Sequence, residues 1–112
     1  MSQAHPTRRA DGSHRVVITG VGAVSPAGVG TEALMEAVMG KRCCIAPIER
    51  FDTSEYEVHI AGEVRGFDGT EHGLSKKEAR RFERFVQYAI VAADEAMAAS
   101  GLDMDAEDAT RV

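Results

Sequence analysis

Cysteine is nearly absent from this 112-residue chain, and the two that occur, Cys43 and Cys44, are neighbours. A disulfide between adjacent residues is strained and no third cysteine offers another partner, so a disulfide-built scaffold is excluded. No CxxC pair occurs, and His5, His14, His59 and His72 are scattered, so metal-ligand spacing is missing as well. Long apolar runs are also lacking, since none approaches the ~20 residues with which a helix spans a bilayer. Residues 1–14 have no apolar centre of the kind a signal peptide needs, and Arg8-Arg9 runs into Ala10-Asp11-Gly12, which makes no twin-arginine export signal. The expected location is therefore a reducing cytoplasm. Positive charge is in deficit: 13 Lys and Arg against 18 Asp and Glu leave a net charge of −5, the wrong balance for a domain that is cationic throughout and holds nucleic acid. Repeats and low-complexity tracts are absent, and an apolar content of 44% is ordinary for one globular domain.

Order is expected to begin at Arg15, after a leader over residues 1–14 that shows no periodicity. Val16-Val17-Ile18 is a continuous β-branched run ahead of Thr19-Gly20-Val21-Gly22, the pattern of a strand buried on both faces. Pro26 and Gly28 mark a loop. Thr31 then stands as N-cap of a short helix with Leu34, Ala37 and Val38 on its inner side and Gly40 at its end. Between Lys41 and Ser54 no period emerges, and Pro47 favours an extended or looping path.

From Tyr56 to Val64 the chain alternates. Tyr56, Val58, Ile60 and Val64 share one side while Glu57, His59 and Glu63 share the other, which predicts a half-buried strand. Gly66, Gly69 and Gly73 separate it from the strongest element, a helix over Ser75 to Ser100. Ser75 and Glu78 supply a capping box and Gly101 a C′ residue. Phe82, Phe85, Val86, Ala89, Ala93, Ala96 and Met97 fall on one face, with room for a kink in the first turns. The tail carries Asp103, Asp105, Glu107 and Asp108, then Thr110-Arg111-Val112 as the start of a further strand. The order β, α, β, α predicts an α/β domain.

Gly20-Val21-Gly22 after a strand invites a Rossmann-type nucleotide-binding reading. The fingerprint G-x-G-x-x-G requires a third glycine where Ser25 stands, and the TGxxxG variant requires one where Val24 stands. Close turning at a strand end is the competing explanation. A nucleophilic role for Cys43 or Cys44 lacks an identifiable base, although Lys41 and Arg42 are adjacent, and both read as small residues filling packed space. His59 reads as a solvated surface residue, and no two carboxylates stand out as an acid/base couple. The distinctive charge feature is the crowding of Lys76, Lys77, Arg80, Arg81 and Arg84 at the start of the long helix against only Glu78 and Glu83. Cations at a helix N-terminus oppose the macrodipole, each by about 0.3–1 kcal/mol. In an acidic chain this patch points either to an anionic partner or to a solvated face.

Arg15-Val-Val-Ile-Thr-Gly-Val-Gly-Ala-Val-Ser-Pro-Ala-Gly28 resembles the opening strand and loop of the β-ketoacyl-acyl-carrier-protein synthases, the condensing enzymes of fatty-acid and polyketide assembly. Ile45 through Phe51-Asp52-Thr53-Ser54, Ile60-Ala61-Gly62-Glu63-Val64, the basic run Ser75–Arg81, Phe85–Ala93, Ser100-Gly101-Leu102 and Ala109–Val112 continue the resemblance in order, and the elongating type II synthases are the most similar subgroup. Cys44 departs from it, standing where the family usually has glycine.

The resemblance implies the opening portion of a thiolase-like αβαβα fold, with an incomplete sheet, over residues 15–112. In that family the nucleophile is a cysteine in a later strand-to-helix turn, assisted by two histidines in the second half. No catalytic residue, cofactor or metal is therefore expected within these residues, and Cys43 and Cys44 are not the family's nucleophile. Lys77, Arg80 and Arg81 align with positions the family uses to dock its acidic acyl carrier protein, and the complete enzyme is expected to be a homodimer. A non-catalytic carrier-binding module is the alternative of a different class.

Overall fold

The protein is described by a computed structural model over residues 8–108 and Thr110. At its start Arg8 and His14 form an isolated antiparallel bridge around a turn in which the Gly12 N–H donates to the Arg9 carbonyl at 3.0 Å. The Val16-Val17-Ile18 run does not behave as expected. It pairs with no strand among the described residues, and Val16, Val17 and Ile18 are 87%, 65% and 87% exposed. A strand buried on both faces needs neighbours along its edges and a layer over each face. Here the end of the segment meets the helix over Arg84–Ser100, at Gly20 and Gly22.

Regular structure starts with a tight hairpin, β1 (Val24–Ser25) and β2 (Gly28–Val29), paired antiparallel with Val24 opposite Val29. Gly28 at φ 144° and Gly30 at φ 98° take backbone conformations that side-chain-bearing residues rarely adopt. Helix α1 follows over Thr31–Met39. Its N-cap is Gly30 and not Thr31, whose hydroxyl donates instead to Glu95 Oε1 at 2.8 Å. Ala37 is buried and Leu34 half-buried as expected, but Val38 is exposed, because nothing among the described residues covers that side of the helix.

The alternating segment Tyr56–Val64 contributes only β4 (Ile60–Ala61), paired antiparallel with β3 (Ala46–Pro47). Tyr56, Val58 and Ile60 are exposed, and of the expected inner side only Val64 packs on the core. The turn in which the Tyr56 N–H donates to the Thr53 carbonyl, and a partner strand only two residues long, leave the alternation without a sheet to exploit it.

A 3₁₀ turn at Gly69–His72, capped by Asp68, leads to helix α2 (Lys76–Arg81), and α3 runs over Arg84–Ser100. The expected single helix is thus two, because Phe82 (ψ 136°) and Glu83 (ψ 153°) are extended. Gly101 closes α3 at φ 69° as expected. The core consists of Phe67, Leu74 and Val91, with Val24, Val29, Val64, Tyr88 and Ile90 against it, and the Phe67 and Tyr88 rings meet edge-on at 4.7 Å.

On α3 the buried positions are Gln87 and Val91. The face expected to be inside is instead largely open: Phe85 is 72% exposed, and Ala89, Ala93 and Met97 are also exposed. The covered stripe is turned from it by roughly 100°, one helical position, because the hairpin and the 3₁₀ turn approach from that side. The accessible surface is 9243 Å², where a compact monomer of this mass would show about 6,000 Å². Its radius of gyration is 19.1 Å, against about 13 Å for a compact chain of this length. Ala109, Arg111 and Val112, where the last strand was expected to start, lie outside the described residues.

Candidate functional site

Helix α2 is short, and its start is fixed from both directions. Ser75 Oγ accepts from the Glu78 N–H at 3.2 Å while Glu78 Oε2 accepts from the Ser75 N–H at 2.8 Å and from its hydroxyl at 2.6 Å. These bonds hold the Glu78 carboxyl below its usual pKa and commit the helix's one carboxylate to its own cap. Lys76, Lys77, Arg80 and Arg81 are left exposed on α2, with Arg84 exposed at the first position of α3. Among the described residues, ion pairs within 4.0 Å involve only Arg65, which meets Glu49 at 3.3 Å and Glu63 at 3.4 Å.

Lys77, Arg80 and Arg81 stand three and four positions apart and share one face of α2. Arg84 does not belong to that face, because the break at Phe82 carries it onto another helix. The break also changes the electrostatics expected for a single long helix. Arg80 and Arg81 occupy the last turn of α2, where the dipole favours cations; only Lys76, Lys77 and Arg84 sit at helix starts.

Two residues not singled out in the sequence hold this surface in place. Gln87, buried on α3, donates through Nε2 to the carbonyls of Ala79 at 3.0 Å and Phe82 at 2.8 Å, satisfying acceptors that the end of α2 would leave unpaired. Leu74, buried, anchors the entrance to α2. Between the helices lies an open groove of about 440 Å³ lined by Phe67, Asp68, Arg80, Arg81, Phe82 and Arg84, among others. A third residue not singled out in the sequence, away from α2, is Glu95. Its Oε1 accepts from the Thr31 N–H at 2.7 Å and its Oε2 from the Ala23 N–H at 2.8 Å, which lowers its pKa. The available signal for Gln87 and Glu95 was a polar residue inside an otherwise apolar helix.

Glu95 also disposes of the nucleotide reading. The start of α1, where a pyrophosphate would be held, already receives this carboxylate. Gly20 and Gly22 serve close approach: a Cβ at Gly20 would fall on the Ala96 carbonyl oxygen, and one at Gly22 on that of Ala92. Cys43 is exposed, not filling packed space as expected, while Cys44 is half-buried. Their sulfurs lie near the backbone carbonyls of Ile45 and Arg42, at 3.9 and 3.8 Å, with no side-chain base at hydrogen-bond distance among the described residues. His59 is exposed, within 3.1 Å of the Thr53 hydroxyl. Among the described residues no three His, Cys, Asp or Glu gather where they could hold a metal.

The family model "Beta-ketoacyl synthase, N-terminal domain" matches residues 13–112, the span that holds the hairpin, the capped basic helix and the core helix, and the chain belongs to this family. It is part of a thiolase-like α/β fold whose sheet is incomplete within these residues. Among curated relatives it is 47% identical over 98 residues to the 3-oxoacyl-[acyl-carrier-protein] synthase 2 of Staphylococcus aureus (strain COL), covering 88% of this chain and 23% of that protein. It is 42% identical over 98 residues to the protein of the same name from Vibrio cholerae serotype O1 (strain ATCC 39315 / El Tor Inaba N16961), covering 88% of this chain and 23% of that one. Among solved structures it is similar to the ishigamide ketosynthase/chain length factor, with a TM-score of 0.65 and 33% identity over 80% of this chain and 22% of that one. The sequence resemblance to the β-ketoacyl synthases is thereby borne out, over less than a quarter of the length of these relatives.

Proposed function

We propose that this chain is the N-terminal segment of a 3-oxoacyl-[acyl-carrier-protein] synthase, and that its α2 surface receives the acyl carrier protein. The carrying observation is the trio Lys77, Arg80 and Arg81, exposed on one face of a helix whose only carboxylate is committed to its own cap. An acidic carrier protein would meet them in exposed ion pairs, each contributing about 0.2–1 kcal/mol and screened over about 8 Å at physiological salt. Such contacts are weak and quickly reversed, which suits a carrier that must leave after each transfer.

In the complete enzyme a cysteine thiolate from elsewhere in the fold attacks the acyl thioester, releasing the carrier's thiol and forming an acyl-enzyme. Malonyl-carrier protein then loses CO₂ to give an enolate. The enolate carbon attacks the acyl-enzyme carbonyl, forming the C–C bond and expelling the enzyme's thiolate. Residues 15–112 contribute scaffold and docking surface to this sequence, after a leader over residues 1–14, within a cytoplasmic homodimer. No helix of the described residues is long and apolar enough to cross a membrane.

The test is an elongation assay on the full-length protein with acyl- and malonyl-carrier protein. A 3-oxoacyl product two carbons longer is expected. Formation of none, by protein whose thiolate still reacts with a small alkylating agent, overturns the reading.

A further inference from the structure

We infer that Arg84, on α3, is a separate anchoring cation for the acidic carrier protein, which straddles the groove between the end of α2 and the start of α3 instead of resting on α2 alone. The inference rests on the docking reading above and extends it to a residue on a different, more firmly packed helix.

Arg84 stands at the first position of α3, in a first turn that holds no acidic side chain. A cation there works against the helix dipole, so its charge does nothing for the helix that carries it. It is exposed and has no carboxylate within 4.0 Å among the described residues. Of the carboxylates nearby, Glu83, the N-cap residue directly before Arg84, is exposed and lines the same groove but makes no ion pair within 4.0 Å, and the others are engaged elsewhere. Asp68, across the groove, is held by the Thr70 N–H at 2.9 Å and the Thr70 hydroxyl at 2.8 Å, and it senses Arg84 only through space. Glu49 and Glu63 pair with Arg65.

Position completes the case. Arg84, from α3, lines the 440 Å³ groove together with Arg80 and Arg81 from α2, and it also borders a second depression of about 220 Å³ beside Arg50 and Arg65. Both helices thus bring cations to the first groove, three against the carboxylates Asp68 and Glu83, and the buried Phe67 is part of its lining. A partner resting on α2 alone would leave the far rim uncovered. One lying across the groove sets carboxylates against both rims, and charge complementarity commits the occupant to an acidic protein surface.

The experiment uses the full-length protein and holo acyl carrier protein, with affinity and association rate measured at several salt concentrations. The Arg84→Glu variant should associate about tenfold more slowly, with a shallower salt dependence, as expected when one steering charge is reversed. Arg84→Lys should retain most of the wild-type rate. Arg50→Glu, on the second depression only, should change it less than twofold. Unchanged melting and unchanged thiolate alkylation show that each variant is folded. If Lys77→Glu with Arg80→Glu and Arg81→Glu removes binding while Arg84→Glu stays within twofold of wild type, the straddling geometry is overturned and docking on α2 stands. If neither variant changes binding, both readings fall.

Discussion

The side-chain amide of Gln87 donates to the Phe82 carbonyl at 2.8 Å, reaching back from α3 to the residue at which the basic helix ends. Its other bond, to Ala79 at 3.0 Å, makes this one side chain the joint between the two helices. Gln87→Leu conserves bulk but strands both acceptors, each at a cost of about 1–3 kcal/mol where it is buried. Urea titration of the full-length protein should show that loss, with amide exchange accelerating first at Ala79–Phe82. Carrier affinity should weaken as well, although every cation is retained. An unchanged unfolding midpoint would show that water replaces the amide at no cost.

Phe67 is only 7% exposed and lies at the centre of a very small core, edge-on to Tyr88. With so few buried neighbours to redistribute the loss, Phe67→Ala should cost about 3–5 kcal/mol. Phe67→Leu should cost distinctly less. Equilibrium unfolding of the full-length protein checks both.

Glu95 gives the joint between the hairpin, α1 and α3 a defined response to acid. Bonds from the Thr31 and Ala23 amides depress its folded-state pKa, so its stabilising contribution is complete above the ordinary carboxylate range. That contribution is lost as pH falls through the depressed value. Glu95→Gln should therefore lower the melting temperature at neutral pH, and the gap to wild type should close on acidification. A gap that persists below the depressed pKa would mean that the carboxylate's charge is not what stabilises the joint.

Gly22→Ala sets a methyl group against the Ala92 carbonyl, which is backbone and cannot swing aside. Overpacking of this kind costs about 1–3 kcal/mol. Gly12→Ala is the informative contrast. It meets no neighbour within 4 Å but sits at φ 83°, so it reports backbone strain without a clash.

Taken alone, the 112-residue chain should associate or remain loosely packed, because Val16, Val17, Ile18 and Phe85 all lie open to solvent. Size-exclusion chromatography with amide exchange tests this. A monodisperse monomer with protected amides across Val16–Val21 would contradict it.

Local chemistry was legible in the sequence wherever the deciding partners lie a few residues apart. The Ser75–Glu78 capping box, the Gly101 stop and the short helix ending at Gly40 all depend on neighbours three or four positions away. Features that depend on distant segments were misread. The Val16–Ile18 run and the Tyr56–Val64 alternation have the composition of sheet strands, yet a pattern does not tell whether a sheet is at hand to receive it. Helix α3 shows the same limit, since its apolar face is real but the elements that reach it cover the adjoining stripe. Of the candidate site, the basic residues were legible as charge. Gln87 and Glu95 were not, because their importance comes from carbonyls and amides that the fold brings to them.

Gly20 and Gly22 make a vernier of this family segment. Gly20 lies over Ala96 and Ser100, and Gly22 over Ala92 and Ala96, so the two strands of contact run in opposite directions. Two residues of nearly straight chain advance about 6.6–7.2 Å, and one four-residue step along a helix advances about 6 Å. The two scales are nearly commensurate, and the glycines fall on successive marks. A slip of the segment by one residue would bring Val21 down onto the helix backbone in place of a glycine. The phase between this segment and α3 is thereby set by sterics at the two glycines, together with the bond from the Ala23 N–H to Glu95, and needs no hydrogen bond along the length of the valine run.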